Sequence, residues 1–275
     1  PTRRSSDLER NIHLKDQMMF SELLDRLEER NQLNIDGDGR VGAAEDLGGL
    51  FSDLQEEIEL CDEAGPEKRS PSFDSSSLPK EGELLIEGER LCLLGISEKD
   101  HRGYLEVEYD SSFIKEAFTD ESFLDKIWDS FFMKNRAYYS IFNLNSVFLG
   151  YCGIRNLQAK PWELCIALKR QYQGHGIGPE SLLLLMKALK RRTGERVFRG
   201  RVDADNEASI SMMRKIGAKA HGISEVFLHG ERLAAYEKKN KYLVDDRLKE
   251  LAKEFKVKPQ ELIGHALDFW IELPE

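Results

Sequence analysis

The chain has 275 residues, of which 40% are hydrophobic and 9% aromatic, enough to build a packed core. Its formal net charge of −10 argues against a general nucleic-acid-binding protein, which normally presents a basic surface, and favours cationic acceptors such as amines. The sequence contains no run of eighteen apolar residues and no signal-peptide pattern, so we expect a cytoplasmic protein that is not inserted in a membrane.

Residues 1–8 resemble a translated sequencing adaptor and are left out of the predicted fold. Residues 9–61 are predicted to be a helical region around a loop at 34–45. Counted from Asn34, oxygen-bearing side chains fall at positions 1, 3 and 5, a glycine at 6 and a glutamate at 12. This spacing resembles the Ca²⁺ loop of EF-hands and of dockerin modules.

The Ca²⁺ ligands implied by that resemblance are Asn34, Asp36, Asp38, Arg40 and Glu45. A plain helix–helix turn is the alternative, because an Asp-Gly-Asp-Gly string also forms turns and EF-hands normally occur in pairs. Residues 62–82 contain three prolines and a serine cluster, which predicts a flexible linker. We therefore expect a separate domain over residues 83–240.

Apolar alternation and turn residues predict the first elements of that domain. They are an opening strand to Leu94, an irregular helical region at 97–136, a hairpin of strands at 137–142 and 147–154, and a strand at 162–168.

A glycine-rich turn, Gln173-Gly-His-Gly-Ile-Gly178, separates the last of these strands from a helix that is predicted over 179–192, with Pro179 at its first position. Glycine lets backbone N–H groups approach a ligand closely, and free amides at a helix N-terminus bind phosphate. Pro179 occupies the sixth position from Gly174, so the dinucleotide fingerprint does not fit. The Gly-Lys-Ser/Thr of a P-loop is also missing here.

Further along, residues 196–202 alternate like a strand and lead to Asn206, Ser209, Lys215 and Gly217, which suit a short helix. Residues 218–238 predict two closing strands with a turn at His229-Gly230. Residues 241–275 predict a tail of two amphipathic helices, the second following Pro259, used for packing or for a homodimer contact.

Three of these signals together resemble the GCN5-related N-acetyltransferase (GNAT) superfamily. The turn matches its Gln/Arg-x-x-Gly-x-Gly/Ala loop, and Asn206 with Ser209 matches its later Asn-x-x-Ser/Ala segment. Leu85–Leu93 is similar to the opening strand of the branch that contains ribosomal-protein N-terminal acetyltransferases. The resemblance implies an α/β GNAT fold over about 84–240, with a mixed, mostly antiparallel sheet and a central splayed strand pair flanked by helices.

The same resemblance implies an enzyme that moves an acetyl group from acetyl-CoA to a primary amine by direct attack in a ternary complex. A peptide or protein N-terminus is the favoured acceptor, and a small amine stays open. The implied CoA-binding residues are Ile166, Ala167, Leu168, Gln173, Gly174, His175, Gly176, Ile177, Gly178, Asn206, Ser209 and Met213. His175 alternatively faces solvent, and Asn206 alternatively caps a helix.

Two residues are candidates for proton transfer. Glu163 either activates the amine through a water molecule or has a structural role, and Ser209 could relay a proton to the departing thiolate. Many family members carry a tyrosine proton donor where this chain has Met213, so a non-catalytic acyl-CoA-binding or sensor module is the alternative function. The four cysteines lack metal-ligand spacing and are expected to be reduced thiols.

Overall fold

A computed structural model describes residues 78–112, 115–226 and 228–274 of the chain. The adaptor-like residues 1–8, the helical region 9–61 with its calcium-like loop, and most of the linker 62–82 lie outside the described residues. No helix in the described part is long and apolar enough to cross a membrane.

The described residues form one eight-stranded sheet in the order β1-β2-β3-β4-β5-β6-β8-β7. Every neighbouring pair is antiparallel except β5 and β6, which are parallel, so the predicted mixed sheet is confirmed. The strands are β1 Leu84–Glu87, β2 Leu91–Gly95, β3 Ala137–Asn143, β4 Phe148–Ile154, β5 Trp162–Leu168, β6 Val197–Asp203, β7 Lys219–Ser224 and β8 Ala266–Glu272.

Helices cover both faces of this sheet. They are α1 His101–Ser111, α2 Glu121–Ser130, α3 Ile177–Thr193, α4 Glu207–Lys215, α5 Gly230–Lys239 and α6 Asp246–Phe255. The main apolar core lies between the sheet and α3, α4 and α6, where Leu185, Trp162 and Phe269 are fully buried. A second cluster joins α1 and α2 to the opposite face through Tyr104, Trp128 and other aromatic side chains. We call these the α3 face and the α1–α2 face.

The predicted opening strand is split into the antiparallel pair β1 and β2. The polar residues between them form a turn that the Gly88 amide closes by donating to the Leu91 carbonyl, over 2.8 Å. Gly88 also lies against α3, where a Cβ atom would be only 2.8 Å from Leu184 Cδ1. The turn brings Arg90 to the start of α3, which becomes important for the site.

The parallel pair β5–β6 is hydrogen-bonded over only two positions, Trp162 with Phe198 and Glu163 with Arg199. Beyond them the two strands diverge, while β5 stays paired with β4 as far as Leu168. The predicted splayed strand pair is therefore confirmed. After Glu163, the edge of β5 that faces β6 therefore has backbone N–H and C=O groups that β6 does not pair.

The structure corrects two predictions near the C-terminus. The expected second closing strand before residue 238 is wrong, because Gly230–Lys239 is helix α5. The expected helix after Pro259 is also wrong: a single 3₁₀ turn, Pro259–Ile263, precedes strand β8, which lies between β6 and β7. The expected helix around residues 248–255 is confirmed as α6.

The physical reason for the second error is an ambiguous apolar pattern. Leu267, Phe269 and Ile271 alternate with polar or half-exposed residues and are 0%, 0% and 4% exposed, as a strand with one buried face requires. Phe269 also falls at helical spacing from Leu262 and Ala266, which suggested a helix. Pairing with two distant strands decides the outcome.

If β8 is a core strand, Phe269→Ala will lower the free energy of unfolding by about 3–5 kcal/mol, because it removes a fully buried aromatic side chain that contacts Phe255. Urea denaturation of the full chain measures this loss. The matched control is Glu272→Ala, at the exposed end of the same strand. Equal, small effects of the two substitutions would contradict the core placement of β8.

Candidate active site

The glycine-rich loop runs from β5 through a 3₁₀ turn at Arg170–Tyr172 into α3. Gly174 and Gly176 have φ angles of 79° and 77°, in the left-handed region that side chains with a Cβ atom disfavour by about 1–2 kcal/mol. Helix α3 begins at Ile177 and not at Pro179 as predicted. Pro179 is thus its third residue, still within the first turn, where a missing N–H breaks no helical bond.

The start of α3 has the properties of an anion-binding site. The N–H groups of Ile177 and Gly178 lie in the first turn, where a helix provides no acceptor for them, and the positive end of a 17-residue helix lies behind them. Gln173, Gly174 and His175 are exposed, so the described residues leave the loop open to solvent. A diphosphate could approach these amides directly.

Three contacts fix the shape of the loop. The Gln173 side chain donates to the Leu168 carbonyl over 3.0 Å, so it shapes the turn. Arg90 donates from Nε to Glu180 Oε2 over 2.8 Å and from Nη1 to the His175 carbonyl over 3.5 Å. Sequence reasoning missed Arg90, because it lies 85 residues before the loop and only the folded chain brings them together.

Glycines at this site also keep space that a Cβ atom would fill. At Gly178 a Cβ atom would be 2.9 Å from the sulfur of Met212 on α4. At Gly176 it would be an ordinary 3.6 Å from Arg90 Nη2 and would project onto the exposed loop. The loop residues therefore suit the close approach of a phosphate-bearing ligand such as CoA.

Ile166, Ala167 and Leu168 lie in the part of β5 that has diverged from β6, and all three are half-buried. An extended ligand could pair with this edge of β5 as an added strand would. Met213 is 3% exposed and packs against Gly200 of β6, so this side chain is part of the core on the α3 face. A thioether also has no proton to donate.

Asn206 caps helix α4. Its side-chain oxygen accepts a hydrogen bond from the Ser209 amide over 3.0 Å, so the capping interpretation is confirmed. Ser209 uses its backbone in this contact and stands half-buried in the first turn of α4. The Ser209 hydroxyl therefore takes no part in the capping hydrogen bond, which uses the Ser209 backbone amide.

Glu163 stands on the α1–α2 face at the last position where β5 pairs with β6, and it is 8% exposed. Its carboxylate accepts a hydrogen bond from Arg201 Nε over 2.9 Å, and the nearest guanidinium nitrogens of Arg155 and Arg199 lie at 3.6 Å and 3.8 Å. We call Arg155, Arg199 and Arg201 the arginine cluster. Glu163, Arg199 and Arg201 share one face because side chains alternate along a strand, which is a signal that the sequence contains.

A second carboxyl group extends this charged region onto β8. Asp268 accepts a hydrogen bond from the Ser224 hydroxyl over 3.3 Å. Burial raises the pKa of Asp268, and the nearby Arg199 and Arg201 oppose that rise. The α1–α2 face thus carries alternating acidic and basic side chains where β5 and β6 separate.

A third carboxyl group, Glu108 of α1, lies beside the diverging part of β5. It accepts a hydrogen bond from the hydroxyl of Tyr151, which pairs with Ala167 in the sheet. Burial raises the pKa of Glu108, and the bond from Tyr151 opposes the rise. Sequence reasoning missed Glu108 because no local pattern indicates which helical carboxylate faces a sheet.

The described cysteines are free thiols, as expected. Burial raises the pKa of Cys165 to about 12, and burial also raises the pKa of Cys152 well above its ordinary value. Both therefore stay protonated at neutral pH, and neither provides the thiolate that a covalent transfer mechanism requires.

Comparison with known proteins decides the family. Residues 90–219 match the family model described as "Acetyltransferase (GNAT) domain". The chain carries a GNAT acetyltransferase domain. GNAT enzymes take the acetyl group from acetyl-CoA, so the protein is an acetyltransferase, and the matched range contains both the loop and the diverging strands. No curated protein matches the sequence significantly.

Solved structures of similar fold include acetyltransferases with different acceptors. RimL, a ribosomal L7/L12 α-N-protein acetyltransferase in complex with coenzyme A, has 15% identity, covers 70% of this chain and 98% of its own, and gives a TM-score of 0.48. The ribosomal-protein-S5-alanine acetyltransferase of Vibrio fischeri has 13% identity, covers 68% of this chain and 95% of its own, and gives a TM-score of 0.45. A spermidine N-acetyltransferase chimera that includes the Vibrio cholerae enzyme has 10% identity, covers 67% of this chain and 96% of its own, and gives a TM-score of 0.47.

The burial of Glu108 makes a pH-dependent prediction. Because its pKa is raised in the folded state, the native protein binds more protons than the unfolded chain above about pH 4.3, and the wild type loses stability as pH rises. Glu108→Gln lacks this titration. Its free energy of unfolding, measured by urea denaturation from about pH 3 to 8, will therefore improve relative to the wild type as pH rises above about 4.3.

Glu106, two residues earlier on α1, is the matched control. Its hydrogen bond from Lys169 lowers the pKa of Glu106, so the wild type gains stability over Glu106→Gln as pH rises toward about 4.3, and the difference is constant above that pH. The two variants should thus show opposite slopes against pH. Slopes of the same sign would contradict the burial of Glu108.

Proposed function

We propose that this enzyme transfers the acetyl group of acetyl-CoA to a primary amine by direct attack in a ternary complex. The observation that carries the proposal is the exposed glycine-rich loop at the start of α3, directly after a strand with an unpaired edge. The loop offers amides to a diphosphate, and the edge offers backbone groups to an extended amide chain. CoA contains both groups in that order.

In this proposal the diphosphate of CoA lies on the amides of residues 174–178, and the pantetheine arm pairs with β5 along residues 166–168. Such pairing satisfies backbone groups that β6 leaves unpaired. It also directs the thioester toward the point where β5 and β6 separate, close to Glu163. The acceptor then enters from the α1–α2 face.

The chemistry requires a neutral amine and a proton for the leaving thiolate. An α-amine has a pKa of about 8 and a lysine amine about 10.4, so a base accelerates attack at neutral pH. The amine nitrogen bonds to the thioester carbon, the carbon–sulfur bond breaks, and the sulfur takes up a proton. We propose Glu163, acting through water, for the first proton transfer and Ser209 for the second.

The acceptor class that we propose first is the N-terminus of a peptide or protein, on the resemblance of the opening strand. A small amine is the second class. The buried, apolar Met213 favours a different function, a non-catalytic acyl-CoA sensor, because no tyrosine donor stands at that position. The sensor would bind acetyl-CoA tightly and release no free thiol with any amine in a broad panel.

Gly176→Ala tests the CoA loop. Both strain at a φ of 77° and a new methyl group at the phosphate position should weaken acetyl-CoA binding by at least about tenfold, or 1.4 kcal/mol, in calorimetry. Gly194→Ala is a matched control, because Gly194 has a φ of 78° at the opposite end of α3 with open space around it. It should be destabilised similarly and bind acetyl-CoA normally. Equal affinities of the two variants would refute the assignment of the loop.

Ser209→Ala tests the proton relay. Removing the hydroxyl leaves the amide bond to Asn206 intact, so we expect normal acetyl-CoA affinity and a kcat lower by at least about tenfold, within the usual range for a lost acid–base group. Thiol release with a panel of amines measures kcat. Ser211→Ala, on the exposed side of the same helix, is the control. Unchanged kcat in Ser209→Ala would remove this residue from the mechanism.

A further inference from the structure

The proposed transfer leaves one proton of the acceptor nitrogen without an acceptor. A primary amine arrives at neutral pH as an ammonium ion with three protons on its nitrogen, and the amide product keeps one of them. Two protons therefore leave the nitrogen. The first leaves before attack, and Glu163 is proposed to accept it through water. The second leaves the positively charged nitrogen of the tetrahedral adduct, and it needs a second base at the opening between β5 and β6.

The carboxylate of Glu108 lies beside this opening, on the α1–α2 face. It accepts a hydrogen bond from the hydroxyl of Tyr151, which lies opposite Ala167 where β4 pairs with β5. Arg155, directly after β4, is close enough to lower the pKa of Glu108, and its amide donates to the Glu163 carbonyl over 3.0 Å. The carboxylate is thus level with the stretch of β5 between Glu163 and Ala167, along which β6 diverges.

The Glu108 carboxylate has unused capacity to accept hydrogen bonds. An ionised carboxylate has about four lone-pair sites. Within the described part of the chain, the Tyr151 hydroxyl is the one group that donates to it. The residue is half-buried, so part of its side chain faces solvent. An ammonium group that enters from the α1–α2 face can therefore donate directly to Glu108.

Glu163 has different surroundings. Its carboxylate accepts a charged hydrogen bond from Arg201, and two further guanidinium groups lie within 4 Å. Cationic donors stabilise a carboxylate in its ionised form and weaken it as a base. The donor to Glu108 is a neutral hydroxyl, and burial raises the pKa of Glu108. A carboxylate with a raised pKa accepts a proton more readily, so Glu108 is the better placed of the two for direct proton transfer.

The other titratable groups packed around this pair keep a fixed charge near neutral pH. Arg155 faces the carboxylate, and Tyr104, Tyr138 and Cys165 surround the Tyr151 ring. Burial raises the pKa of both of these tyrosines and raises that of Cys165 to about 12. A change in the carboxylate's own pKa is therefore readable in the pH dependence of the reaction.

We propose that Glu108 is a second catalytic carboxylate, which accepts the proton that the acceptor nitrogen still carries after it has attacked the thioester. The nitrogen–carbon bond has then formed, and the N–H bond breaks toward a Glu108 oxygen. The carbon–sulfur bond breaks next, and the sulfur takes up a proton through Ser209. Two protons leave the nitrogen and one is taken up by sulfur, so one is released to solvent overall. This inference rests on the proposed acetyltransfer function and adds a residue to it.

Glu108→Gln in the full chain tests the assignment. Glutamine keeps the shape of the side chain and an acceptor for the Tyr151 hydroxyl, but it is not a base. With acetyl-CoA and a panel of amines, kcat for thiol release should fall by at least about a hundredfold, while acetyl-CoA affinity stays unchanged. Asp110→Asn, at an exposed carboxylate on the same helix, is the matched control and should keep the wild-type kcat. An unchanged kcat in Glu108→Gln overturns the inference.

Tyr151→Phe gives a readout that a purely structural role of Glu108 would not change. It keeps the ring that stacks on Tyr104 and removes the hydrogen bond that lowers the pKa of Glu108. The pKa of Glu108 then rises, so the loss of kcat toward acid pH should begin about one pH unit higher than in the wild type. This variant also serves if Glu108→Gln fails to fold. A pH profile identical to that of the wild type contradicts the proposed role.

A binding measurement without turnover separates this inference from the proposed function. S-(2-aminoethyl)-CoA places an ammonium group one bond beyond the position of the acceptor nitrogen, and S-propyl-CoA is its neutral match. Calorimetry at pH 8 should show that the wild type and Asp110→Asn bind the ammonium compound at least about tenfold more tightly, and that Glu108→Gln binds both equally. That result supports the role of Glu108 even if no amine releases thiol, in which case only the proposed transfer fails. Equal affinities in the wild type, or a preference that Glu108→Gln retains, overturn the inference.

Discussion

The early end of hydrogen bonding between β5 and β6 is the constraint on which the site depends. Pairing stops after Glu163 and Arg199, while β4 holds the other edge of β5 along its length. Beyond these two residues, the edge of β5 that faces β6 is unpaired. A strand in the middle of a sheet normally has both edges paired by neighbouring strands. The glycine-rich loop and the start of α3 follow directly from the end of that strand.

The two faces of the sheet contribute differently to this opening. The α3 face is apolar and tightly packed, with Leu185 and Phe198 fully buried, and it fixes the strand positions. The α1–α2 face is built from aromatic and charged side chains, including Tyr104 stacked on Tyr151 with ring centroids 4.8 Å apart. The apolar core on the α3 face holds the sheet in place, so the α1–α2 face can contain buried charged side chains. The proposed acetyl transfer takes place on that second face.

The parts of the site that could be predicted are those with local signals. Glycines with positive φ, a helix that starts directly after them and an asparagine that caps a short helix all depend on neighbours in sequence. Met213, predicted at the CoA site, is instead part of the core, because burial depends on the whole fold. The calcium-like loop at 34–45 stays a prediction outside the described residues.

The parts that could not be predicted depend on distant residues. Arg90 reaches Glu180 across 90 residues, and the arginine cluster meets Asp268 only because β8 inserts between β6 and β7. An apolar pattern that suits both a helix and a strand cannot reveal that insertion. Strand pairing over long sequence separations is therefore what limited the prediction of fold and site alike.

Hydrogen exchange followed by mass spectrometry, with and without CoA, tests the central claim most directly. If the loop amides bind the diphosphate and the free edge of β5 binds the pantetheine arm, CoA will slow exchange at residues 164–168 and 174–178. Pantetheine, which lacks the diphosphate, will slow exchange only at 164–168. Protection by CoA that leaves residues 174–178 unchanged would contradict the account.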